Sequence, residues 1–176
     1  MDRVVVNLPM QFLELLKEVE KAKVRYLVVG GIAVNLHGVI RPTQDIDFIV
    51  YLERNNLLRF IQLMNRLGYR PRVPVRPEEL ADEKKRRDWG QHKNMIVFSF
   101  YHPQDMMKVI DVFIKHPLPF EGMYKRRVQI SLGDLDISVI SIPDLIKIKG
   151  KANRLQDRSD IAALKQVMKE GAKDGG

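Results

Sequence analysis

The stretch YLVVGGIAVNLHGVIRPTQDIDFIV, Tyr26 to Val50, constrains this chain more than any other. An apolar run ends on Gly30-Gly31, a short and mostly apolar segment follows, and a second hydrophobic run, DIDFIVYL, carries two aspartates at alternate positions. Side chains at i and i+2 of a strand face the same side, and each residue rises about 3.3 Å. Asp45 and Asp47 therefore project together, their backbones about 6–7 Å apart, while Ile46, Phe48 and Val50 face the core. Between the runs, Ile32–His37 reads as a brief helix closed by Gly38.

Two carboxylates so placed suit one or two divalent cations. Two-metal phosphoryl chemistry holds its ions about 3.5–4 Å apart, one on the attacking oxygen and one on the leaving group. Oxygen donors and a chain without cysteine point to Mg²⁺ or Mn²⁺ rather than zinc. Without a metal the carboxylates repel, and one tends to hold a proton. A DxD alone more often marks a polar edge strand with two solvated aspartates. The surroundings favour the metal reading. Gly30 and Gly31 stand at a strand-to-helix turn, where missing side chains let a phosphate approach the backbone. The segment from Gly31 to Asp45 is long enough for a short helix and a return beside the first strand. Further on, KVIDVFIK sets a single carboxylate, Asp111, in another hydrophobic strand, as a third ligand or as the base for an attacking hydroxyl.

The rest of the chain reads as α/β (α+β): a mixed β-sheet flanked by helices. Helices are expected over Leu8–Val24, Asn55–Leu67, the stretch SIPDLIKIKGKANR capped by Ser141, and Asp157–Lys169. Strands are expected at MIVFSFY, KVIDVFI, RVQISL and LDISVI, the last two joined through Gly133-Asp134. Arg70–Asn94, proline-rich and then basic, reads as a surface excursion with one short helix near Pro77–Lys85. The expected division is a core over 1–140, a C-terminal helical segment over 141–170 packed on it, and a fraying tail over 171–176.

This pattern closely resembles the DNA polymerase β-type nucleotidyltransferase superfamily. The string VVGGIAVNLHGVIRPTQDIDFIV is most similar to its minimal members, including the AbiEii-like toxin group, and DLIKIKGKANRLQDRSDIAAL resembles the segment that closes those domains. The resemblance spans Arg25 to Leu164. It implies a nucleotidyltransferase fold with C-terminal helices and a nucleoside triphosphate donor, ATP among the candidates, cradled at Gly30 and Gly31. It implies metal, two ions, at Asp45, Asp47 and Asp111, and a possible antitoxin partner. Gly31 stands where many members have serine, and Gln156 where a lysine is common. The acceptor it leaves open: an RNA or tRNA end, a protein side chain, or a small molecule such as an aminoglycoside. A non-catalytic nucleotide- or RNA-binding module of the same fold is the alternative.

Arg41 and Thr43 lie on the approach to Asp45, and Arg41 either grips a phosphate or neutralises the aspartates. Lys149 matches a lysine recurrent in the family and either reaches the triphosphate or is a solvated helix residue; Lys147 and Lys151 read as a solvated face. His37 reads as a packed helix-end residue rather than a base. EKKRRDWGQHKN sets Trp89, the only tryptophan, among Lys84, Lys85, Arg86, Arg87 and Lys93. That mixture reads either as an RNA contact with a stacking platform or as a solvated loop with one aromatic anchor. A net charge of +8 and a pI near 9.7 favour anionic partners. The 45% apolar and 30% charged residues are those of a soluble globular chain. The N-terminal MDRVVVNLPMQFLELL lacks a run suited to a signal peptide or membrane span, so a cytoplasmic location is expected.

Overall fold

A computed structural model describes residues 8–175. The N-terminal expectation of no leader falls partly on residues 1–7, and the end of the tail on Gly176; both lie outside the described residues. Helix α1 (Met10–Lys21) buries Phe12, Leu15, Leu16 and Val19 at helical spacing. Strand β1 (Tyr26–Val29) is buried throughout and runs directly into α2 (Gly30–Leu36). After β2 (Ile46–Val50) comes α3 (Arg54–Arg66), whose first N–H groups, those of Asn55 and Asn56, donate to the Glu53 carboxylate. Strands β3 (Arg70–Pro71), β4 (Val97–His102) and β5 (Asp105–Phe113) bracket a 3₁₀ turn over Pro77–Ala81 and helix α4 (Glu83–His92). The chain closes with α5 (Phe120–Lys125), β6 (Val128–Leu132), β7 (Leu135–Val139), α6 (Ile142–Ala152) and α7 (Leu155–Asp174).

The strands form one mixed seven-stranded sheet in the order β3-β4-β5-β2-β1-β7-β6. The pairs β2–β5 and β1–β7 are parallel, the rest antiparallel. Alternation sorts the two faces. Phe48, Phe98, Phe100, Ile110 and Val112 point into the core, where Phe48, Phe60 and Phe100 meet edge to face. Among the described residues no helix is long and apolar enough to cross a membrane.

Two expectations are corrected. Arg70–Asn94 is not a loose excursion: Leu80, Ala81 and Trp89 are buried, and α4 begins where Asp82 accepts from the Lys84 and Lys85 N–H groups. Helix α7 starts at Leu155 and runs to Asp174, so most of the expected tail is helical. Helix α5, for which no expectation was stated, buries Phe120 and Met123 one turn apart.

Candidate active site

Strand register brings the three aspartates together. Asp47 pairs with Asp111 across β2 and β5, Asp111 with Ser99 across β4 and β5, and Asp47 with Val29 across β1 and β2. Register partners share a face, so Val29, Asp47, Asp111 and Ser99 form one row opposite the phenylalanine core. Asp45 lies just before β2, near enough for its charge to act on Asp47 and for that of Asp111 to act on it. The Ser99 hydroxyl donates to Asp111.

The glycine turn sits against this row. Gly30 has φ +64, a left-handed conformation, and a Cβ there would stand 2.1 Å from Asp47 Oδ2. Gly31 is equally confined: its Cβ would meet Arg41 Nη1 at 2.6 Å and Thr43 Oγ1 at 2.7 Å. That explains the departure from serine, because the Thr43 hydroxyl already occupies the space a side chain at 31 would need. Thr43 itself donates weakly to the Asp45 carbonyl at 3.4 Å.

Behind the turn lies a buried ion network. Lys149, 6% exposed, donates to Asp160 at 2.8 Å and to Asp157 at 3.4 Å. Arg41 Nη1 reaches Asp160 at 3.2 Å, and Gln156 donates to the other oxygen of the same carboxylate. Arg154 donates to Asp157 from both its backbone and its side chain. Lys149 is thus no solvated helix lysine, and both expected phosphate cations already hold carboxylates from α7. His37 Nε2 donates to the Ile140 carbonyl at 2.7 Å, the packed helix-end role expected of it.

Electrostatics follow the geometry. Burial, then the charges of Asp111 and Asp45, push the Asp47 carboxyl up to about 7, against the pull of Lys149 and Arg154. Asp45 is also raised, by burial and by Asp111, with Arg72 opposing. The cluster therefore carries more negative charge than its neighbours neutralise. Among the described residues no three acidic or histidine side chains close into a ready metal cage. The donor set is nonetheless all oxygen, its excess charge is what a divalent cation relieves, and Gly30 keeps Cβ bulk away from Asp47.

A family model described as a nucleotidyltransferase of unknown function (DUF6036) matches residues 7–170. The chain belongs to this nucleotidyltransferase family. The enzyme's fold is similar to that of the lincosamide antibiotic adenylyltransferase LnuA in its lincomycin-bound form, at 18% identity and TM-score 0.62 over 91% of this chain and 98% of that one. It is also similar to ANT(2")-Ia in complex with adenylyl-2"-tobramycin (12% identity, TM-score 0.59, 90% of each chain). An antigenic nucleotidyltransferase-like protein from Paracoccidioides brasiliensis shares the fold at 13% identity and TM-score 0.54, over 86% of this chain and 72% of that one. No curated protein matches in sequence. The nucleotidyltransferase fold expected from the GG and DID motifs is thus borne out, and the family is a nucleotidyltransferase one.

The basic segment of this nucleotidyltransferase matches the reading of a solvated stretch with one aromatic anchor, except that it is helical and buries Arg86. Trp89 is 3% exposed and stacks on Phe98 with ring centroids 5.4 Å apart, so it offers no face to a base. Arg86 is 8% exposed and donates to the Leu80 carbonyl at 2.7 Å. The two stand three residues apart on one helix and turn inward together, a spacing that was legible in advance. Lys84, Lys85 and Arg87 stay at the surface, the last two paired with Glu79 and Glu83. Sequence reasoning also missed Ser99, Asp157 and Asp160. Ser99 had a signal, a lone polar residue at a site-facing position of VFSFYH; the aspartates of α7 looked like ordinary surface charge.

Proposed function

We propose that the enzyme transfers a nucleoside monophosphate from a nucleoside triphosphate to an acceptor hydroxyl, releasing pyrophosphate. The observation that carries this reading is the register row in which Asp47 and Asp111 stand side by side with Gly30 pressed against Asp47. Asp45, Asp47 and Asp111 would hold Mg²⁺ or Mn²⁺, two ions in the full site. Bound there, the cations neutralise charge on the reacting phosphate and on the leaving pyrophosphate. Gly30 and Gly31 leave room for the triphosphate against the backbone, and Thr43 supplies the hydroxyl that residue 31 lacks. Arg41 and Lys149, steadied by Asp160, offer positive charge behind the turn. Asp111, held by Ser99 through one oxygen, keeps the other for the acceptor's proton as the oxygen–phosphorus bond forms and the bond to the β-phosphate breaks.

Lincomycin in LnuA and adenylyl-tobramycin in ANT(2")-Ia support a small hydroxyl-bearing molecule as acceptor. An RNA or tRNA end and a protein side chain are the other acceptor classes. The test is incubation with each α-labelled triphosphate, Mg²⁺ or Mn²⁺ and a cell extract, followed by asking which fraction is labelled. Label is expected with the natural chain and absent with Asp45→Ala and with Asp47→Ala; transfer retained by either variant would refute the mechanism.

One observation favours a second reading, a nucleotide-binding module that does not turn over and acts with an antitoxin. Arg41 and Lys149 are already engaged by Asp157 and Asp160. Calorimetry with triphosphate and Mg²⁺ separates the two, since binding without pyrophosphate release belongs to the module alone.

A further inference from the structure

At the end of the sheet where β2 and β5 finish, a cavity of about 980 Å³ opens between α4 and the segment after β5. It lies beyond Asp111 along β5, at the opposite end of β2 from Asp45 and the glycine turn. Leu52, Met95, Ile96, Phe113, Ile114 and Pro117 give it apolar walls. Ile96 is 69% exposed, an unusual position for a large aliphatic side chain.

The floor is charged. Arg86 lines the cavity, is more than nine-tenths buried, and spends one of its five donors on the Leu80 carbonyl. The surrounding acids are committed elsewhere: Glu79 to Arg76 and Lys85, Glu83 to Arg87, and Asp82 to the backbone N–H groups of Lys84 and Lys85. No acidic side chain pairs with Arg86 among the described residues. Among the described residues the buried polar atoms sealed without a partner are Asn35 Oδ1, Arg41 Nε and Arg127 Nε; the free donors of Arg86, which lines the cavity, are therefore not walled off. An exposed lysine, Lys115, lines the rim, and His116 lies beside it with Nε2 on the Val50 carbonyl. Glu83, which also lines the cavity, and Asp82 favour the Arg86 charge only at a distance; a buried guanidinium without a contacting counter-charge is costly, and a bound anion reduces that cost.

We propose that this cavity is a binding site for an amphipathic anion: a small molecule with one carboxylate, sulfonate or phosphate group and an aromatic or alkyl body. The anionic group meets Arg86 and Lys115, and the body lies along Ile96, Phe113 and Ile114. The volume is at the upper end of the range for small-molecule sites. The proposal is independent of nucleotidyl transfer and stands or falls without it.

The test uses anilinonaphthalene sulfonate as probe and phenylnaphthylamine, which has the same rings without the sulfonate, as its neutral counterpart. Both are titrated by fluorescence into the full chain and into Arg86→Gln, Lys115→Glu and Ile96→Glu, with thermal melts alongside. Expected are saturable binding of one sulfonate probe per chain and affinity at least about tenfold weaker for the neutral probe and for each variant. Because Arg86→Gln removes a buried bond and can cost the fold, the decision rests on Lys115→Glu and Ile96→Glu, which change exposed side chains. Equal affinity for the two probes, or unchanged affinity in both exposed variants with natural melts, would overturn the proposal and leave a merely apolar cleft.

Discussion

Gly30→Ala is the sharpest probe of the candidate site, because the same substitution at Gly133 isolates half of its effect. The two glycines have nearly the same left-handed backbone, φ +64 and +66, but a Cβ at Gly133 meets nothing within 4 Å. Gly133→Ala therefore reports backbone strain alone, about 1–2 kcal/mol. Gly30→Ala adds the collision with Asp47. Its Cβ would lie 2.1 Å from Oδ2, so the oxygen must retreat by about 1.3 Å to reach the 3.4 Å of ordinary contact. With Asp47 Cβ also only 3.0 Å away, turning the carboxylate does not relieve the whole clash, and β2 must shift too. The excess destabilisation over Gly133→Ala is expected at about 1–3 kcal/mol, the range for overpacking a tight interior. Moving a reacting group by about 1 Å costs about a hundredfold in rate. Urea denaturation of both variants gives the stability difference, and transfer from labelled triphosphate gives the catalytic one. Equal stabilities, with transfer by Gly30→Ala at the natural rate, would refute both the close approach and its role.

Other consequences follow from the same geometry. Asp47 has a folded-state pKa of about 7, above its ordinary 3.8, so between those values the folded chain keeps a proton that the unfolded chain has lost. Metal-free stability should fall as pH rises from about 4 to about 7, by no more than about 4 kcal/mol; Asp47→Asn should flatten the profile, and a profile unchanged by that variant would reject the assignment. Thr43→Val should lower transfer about tenfold or more while Thr43→Ser retains it, as expected for a lost hydrogen bond to a charged group; equal rates would remove Thr43 from the site. Lys149→Met leaves Asp157 with Arg154 alone and Asp160 with Arg41 and Gln156, removes their buried counter-charge and should cost about 3–5 kcal/mol, and adding Asp160→Asn should restore part of it; strict additivity in that cycle would show that the ion pair is uncoupled. Trp89→Ala empties a core position against Phe98 and should cost about 3–5 kcal/mol, and a near-natural denaturation midpoint would contradict the buried placement.

The parts of the fold legible in the sequence are those governed by short-range rules. Alternation in DIDFIV told which side Asp45 and Asp47 face, and Gly30-Gly31 marked a turn that only residues without side chains allow. The pairing of Asp47 with Asp111 was not legible, since strand order and register depend on contacts far apart in the chain. Trp89 is the aromatic anchor of one of the two readings, but Arg86 was misplaced because composition was weighed above periodicity: a basic run suggested a surface, while the three-residue spacing already placed both on one helix face. For Asp157 and Asp160 no local rule was available. Their meaning comes from Lys149 and Arg41, which approach from two other elements.

That last network ties the glycine turn to the C-terminal helices. Asp160 receives Arg41 from the segment between α2 and β2, Lys149 from α6 and Gln156 from its own helix, with 2% of its surface exposed. A carboxylate so enclosed cannot lose one cation without leaving the remaining charges unbalanced. The positions of Arg41 and Lys149 are therefore set together, by α7, and not by either side chain alone. A triphosphate reaching the glycine turn would meet two cations that are already partly neutralised, and would share them with Asp160 rather than capture free ones. Such sharing weakens ground-state attraction, but it fixes both cations at the depth of the turn, where preorganised charge acts most strongly on a reaction in progress.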